Sequence, residues 1–142
     1  MMTSHRPPRR LQGGFSLIEG LVSILIFSLG ILALVGLQAN SMQMSSSAKY
    51  RSDASLLANA LIGQMWVTDR TATTLQNNFN TGQPNYATWL SDVQATLPVS
   101  AASAPTVAVS ASGVVTVNIY WKAPNEQPSM PTHEYTAIAQ VK

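Results

Sequence analysis

Few of the 142 residues are of a type that could do chemistry. The most telling is Glu19, the only charged group between Arg10 and Lys49. It lies four positions into an apolar run that opens Gly13-Gly14-Phe15-Ser16-Leu17-Ile18-Glu19. An ionised carboxylate at such depth costs about 2.5–3.5 kcal/mol on membrane-insertion scales unless it is paired or close to the interface. The plain reading is a carboxylate in the first helical turn, favoured by the positive end of the helix dipole and sitting among headgroups. Elsewhere the chemistry is thin. Of two histidines, His5 falls in the basic leader and His133 stands between Thr132 and Glu134, where it reads as an exposed loop residue. A serine–histidine–carboxylate constellation would rest on that one ring. Asp92, Glu126 and Glu134 lack metal-ligand spacing, and there is no phosphate-binding glycine loop. Tyr120-Trp121-Lys122 is the one cluster of aromatics with a cation that could suit a nucleic-acid strand. Strand packing explains Trp121 better, so nucleic acid is not favoured as a partner.

Composition limits the rest. One modest domain fits the length. Charged residues make up 10%, well under the usual quarter, while the 46% apolar share is ordinary. With no cysteine, disulfides, zinc ribbons and thiol catalysis are excluded. The formal net charge of +2 is carried by Arg6, Arg9 and Arg10. From residue 15 onward five basic residues face six acidic ones, so removal of the leader takes the side-chain balance to −1.

The elements that must position Glu19 begin with the apolar run itself. Phe15–Leu37 would form a helix roughly 35 Å long, enough for a hydrocarbon core of about 30 Å. Gly20–Leu37 contains thirteen apolar residues, three glycines, two serines and no charge. A cleaved secretory signal is the competing reading. The run is longer than an ordinary signal core, and Leu37-Gln38-Ala39 is a poor cleavage site. Arginines on the N-terminal side place residues 1–14 in the cytoplasm and the remainder outside it.

Gly14-Phe15 with Glu19, opening an apolar helix behind a short basic leader, resembles the type III signal of type IV prepilins and pseudopilins. The resemblance implies cleavage by a prepilin peptidase between Gly14 and Phe15 and methylation of the new Phe15 amino group. Glycine at the cut would let an extended backbone enter the protease without a Cβ in the way. It also implies that Glu19 of one subunit meets the N-terminal cation of its neighbour. A buried pair of this kind specifies register more than it adds net stability, because an orphaned partner is costly.

Beyond the membrane, Leu56, Leu57, Ala60, Leu61 and Met65 recur at helical spacing, so one helix is expected from residue 15 to about 68, with Ser45-Ser46-Ser47 as a weak spot. No proline interrupts the apolar half, and Gly30 and Gly36 are its only candidates for local softening. Thr71–Asn85 reads as loop. Tyr86–Leu97 reads as a short helix, with Trp89, Leu90, Val93 and Leu97 on one side and Pro98 ending it. Thr106–Val109 reads as a short strand, Gly113 as a turn, Val115–Trp121 as a half-buried strand and Tyr135–Val141 as a last one, pairing antiparallel with it. The expected class is α+β: a pilin fold with a long N-terminal helix on a small antiparallel sheet. Its layout would be a cleaved leader at 1–14, a transmembrane and filament-core helix at 15–40, and a periplasmic head at 41–142.

A Trp-containing short helix closed by Leu97-Pro98, then a strand ending in Trp121, together with GFSLIEGLVSILIFSLGILALVGLQ at the N-terminus, is similar to the PilV-type minor pilins, type IV pilus modification proteins. Unlike many pilins, the chain lacks a cysteine pair to staple its C-terminal region. The resemblance implies a non-enzymatic subunit without cofactor or metal that primes pilus growth near the tip. Its partners would be a prepilin peptidase, other minor pilins, the major pilin and the inner-membrane assembly platform. It would start as a single-pass inner-membrane protein and end in the extracellular pilus. A type II secretion pseudopilin and a tip adhesin or DNA-contact subunit are the rival readings.

Overall fold

The computed structural model describes residues 15–124, 126–127 and 129–142. Helix α1 (Phe15–Trp66) is followed by α2 (Ala72–Phe79), α3 (Pro84–Thr96), a single 3-10 turn (Ala101–Ser103) and strands β1 (Thr106–Val109), β2 (Val114–Trp121) and β3 (His133–Gln140). The strands form one antiparallel sheet in the order β1-β2-β3. This is the α+β, pilin-like architecture that the sequence leads one to expect.

Two compact units divide between Gln43 and Met44. In the first, α1 is apolar and every side chain from Ser16 to Gln43 is exposed, so none of the described residues covers it. Over an 18-residue window its mean hydropathy reaches 2.6, long and apolar enough to cross a membrane. The second unit holds every buried hydrophobic side chain among the described residues, from Ala54 to Val141.

The second unit begins with the rest of α1, and the triple serine is helical. Its buried stripe is Ala54, Ala58, Leu61 and Met65, with Leu57 and Ile62 half-buried. Leu61 and Met65 of the expected face are thus in the core, whereas Leu56 is 70% exposed and Ala60 also points outward. Two alanines share the inner positions with two long apolar side chains.

Thr71–Asn85 is not a loop, since α2 occupies most of it. Asp69 accepts from the Thr71 N–H at 3.1 Å, and the Thr71 and Thr74 hydroxyls gather on the same carboxylate, which organises the helix start. Leu75 and Phe79, four residues apart, point inward and are buried. Pro84 opens α3 in the first turn, where its missing N–H costs nothing. Tyr86, Trp89 and Val93 are its buried side. The Trp89 indole donates to the Leu57 carbonyl at 3.0 Å, and the Tyr86 hydroxyl donates to the Pro105 carbonyl at 2.7 Å. These two bonds tie α3 to α1 and to the approach to β1.

In β2, Val115, Val117, Ile119 and Trp121 are buried and alternate with half-buried partners. Gly113 makes the β1–β2 turn with φ +79°, and its carbonyl accepts from the Val141 N–H at 2.8 Å. Val141, expected as the last residue of β3, lies just past the strand and is fully buried.

Candidate functional site

Phe15 is the first residue of α1 and Glu19 the fifth. Four residues of helix separate them by about 6 Å along the axis and leave them on neighbouring sides of it. Glu19 is exposed, with leucine, isoleucine and valine around it: Ile18 and Leu21 are 62% and 68% exposed. No acidic residue lies in the first turn. The plain reading of Glu19 as a first-turn carboxylate therefore fails, since the benefit of the helix dipole fades within that turn. Gly14, the expected cleavage position, lies outside the described residues. What the geometry provides is one exposed carboxylate, a turn inside an apolar helix that no described residue covers.

Other candidates fare differently. His133 is not a loop residue: it opens β3 opposite Trp121, half-exposed, and its ring stacks on the Trp121 indole at 5.7 Å between centroids. Its Nε2 lies 2.6 Å from Oε1 of Glu126, whose side chain is 5% exposed. This pair closes the β2–β3 loop, helped by the Lys122 ammonium donating to the Met130 carbonyl at 2.9 Å. It is a structural latch, and spacing gave no sign of it because a proline-rich loop separates the partners. The Tyr120-Trp121-Lys122 cluster is not presented as a binding face. Trp121 is 3% exposed in the core, while Tyr120 faces the other side of the sheet. Desolvation, then the charge of Glu134 and a hydrogen bond to it, raise the Tyr120 phenol above its ordinary range. A carboxylate beside the one accessible aromatic does not favour a phosphate backbone. Asp92 lies exposed on α3, away from any ligand set, and no group of three or more potential metal ligands occurs among the described residues.

Residues 9–35 match the Prokaryotic N-terminal methylation motif. No curated protein matches the chain, and no solved structure does. The match takes in Gly14, Phe15 and Glu19 and the first five turns of α1. The chain thus carries a type IV pilin-like prepilin N-terminus on an apolar helix that no described residue covers, ahead of an α+β head.

Proposed function

We propose that this chain is a minor pilin that helps to initiate type IV pilus assembly and stays in the filament near its tip. The observation that carries the reading is the methylation motif at the head of an apolar helix that the described residues leave bare. In this reading residues 1–14 are a cytoplasmic leader, 15–40 the membrane and filament-core helix, and 41–142 a periplasmic head. Prepilin peptidase cuts between Gly14 and Phe15, the Phe15 nitrogen is methylated, and Glu19 pairs with the N-terminal cation of a neighbouring subunit in the filament core. The major pilin, other minor pilins and the assembly platform supply the surfaces that cover α1. The order of short helix and Trp-ended strand in the head supports a PilV-type subunit, whose work is structural and requires no catalysis.

Intact mass and N-terminal sequencing of the mature protein provide the test. A chain starting at methylated Phe15 is expected; a start near Asn40 would make this an ordinary secreted protein. A type II secretion pseudopilin would show the same N-terminus. Neighbouring genes for minor pilins and a large tip protein support the pilus, whereas genes for a secretion channel overturn it.

A further inference from the structure

The two edges of the sheet are treated differently. The Val141 N–H bonds directly across to Gly113, so Val115, Val117, Ile119 and Trp121 of β2 bond to their opposites in β3. By the same alternation, Ser110 bonding to Val114 makes Thr106 and Ala108 the β1 residues that bond to β2. The outward groups of β1 are then those of Val107 and Val109, and they are sealed. The Val107 N–H donates to the Thr81 hydroxyl at 2.9 Å, and its carbonyl accepts from the Thr81 N–H at 3.0 Å. The Val109 N–H donates to Asn80 Oδ1 at 2.8 Å and its carbonyl accepts from Gln76 at 3.0 Å. On β3 the outward groups belong to Glu134, Thr136, Ile138 and Gln140, all exposed, and no hydrogen bond to them is seen among the described residues. Eight residues without proline or lysine make an unguarded edge of the kind that accepts another strand.

Beside this edge runs a groove lined by Ala48, Arg51, Ser55, Leu56 and Asn59 of α1 and by Tyr135 of β3. These α1 positions lie about a third of a turn from the stripe that packs on the sheet, so the groove flanks the helix on the β3 side. The Tyr135 hydroxyl donates to Ser55 at 3.1 Å, and at the far end Arg70 donates to the Lys142 carbonyl at 2.8 Å, so β3 and α1 run in the same direction. Arg51, exposed and one turn before Ser55, faces this groove without a carboxylate partner among the described residues.

We infer that the free edge of β3 receives an extended segment of a different polypeptide as a fourth strand, which places a carboxylate against Arg51. Backbone groups of Glu134, Thr136, Ile138 and Gln140 hold the incoming strand. Alternate side chains of that strand enter the groove, an apolar one over Leu56 and an acidic one about two residues away, level with the start of β3. A second copy presenting its own β3 fits poorly. The inner-face residues of that strand are His133, Tyr135, Ala137 and Ala139, none of them an acid.

The inference is independent of the pilus reading, because it is tested on the purified full-length chain in detergent micelles. The probes are short synthetic peptides of alternating valine and threonine, with one glutamate moved through the valine positions and a matched lysine series. One glutamate register is expected to bind about tenfold more tightly than its lysine counterpart. Binding should slow amide exchange at Thr136, Ile138 and Gln140. Arg51→Ala should remove the preference for glutamate. Ile138→Pro should abolish binding of both series, since the lost N–H is not one that bonds to β2. Unchanged exchange at these amides under saturating peptide, or equal binding of both series to the native chain, overturns the inference. Protection of the same amides by concentration-dependent self-association also overturns it, giving the edge to a second copy.

Discussion

Glu19 stands one turn inside α1, with no salt-bridge partner among the described residues. The amino group that cleavage at Phe15 would create is the counter-charge proposed for it. Glu19→Ala leaves the apolar run intact, so the variant should reach the membrane at the native level and be scarce in sheared pili. Immunoblots of membrane and pilus fractions check this, and native incorporation would remove the pairing role. Asp69 allows a second prediction at this scale. The Thr71 N–H, set against some desolvation and helped by the Thr74 and Thr71 hydroxyls, holds its carboxyl below the usual carboxylate range. A group depressed in the folded state contributes stability above its unfolded pKa and loses it as the pH falls through the folded one. Acidification below the ordinary aspartate range should therefore loosen the start of α2. NMR titration of the Asp69 carboxyl should give a midpoint below that of a free aspartate, and Asp69→Asn should blunt the acid sensitivity of the α2 amides.

At the level of elements, the strands were the most legible. Val115, Val117, Ile119 and Trp121 alternate with polar neighbours, and Gly113 marks the turn ahead of them. Position α2 was hidden by its own composition: threonine and asparagine are weak helix formers, and only two inward residues, Leu75 and Phe79, justify the helix. Tertiary burial overrides local preference there. On α1 the spacing identifies Leu61 and Met65 of the core but takes Leu56 and Ala60 for inward residues in place of Ala54 and Ala58, and the His133–Glu126 latch leaves no trace in any spacing. Two substitutions test these elements. Phe79→Ala empties a site that is 1% exposed and should cost about 3–5 kcal/mol in denaturant unfolding. At Gly113 a Cβ would lie 2.6 Å from the Val141 carbonyl, on a backbone with φ +79°. Gly113→Ala should cost on the order of 1–3 kcal/mol from backbone conformation alone, measured the same way.

For the molecule as a whole, the buried side chains among the described residues begin at Ala54, and the unit boundary lies at Gln43–Met44. Residues 44–142 should accordingly fold without the apolar helix, as a soluble monomer with one cooperative thermal transition. Aggregation or a gradual melt would show that the first unit is needed for the head. The bare apolar helix also carries a consequence for energetics. Its side chains already lie in an apolar solvent when it sits in lipid, so moving it into a bundle of like helices releases little hydrophobic free energy. The balance between the two surroundings then falls to close contacts at small residues and to the few polar groups along α1, chiefly Glu19. Two nearly equal solvents leave such a transfer close to balance, so the hydrophobic effect by itself would set no direction for it.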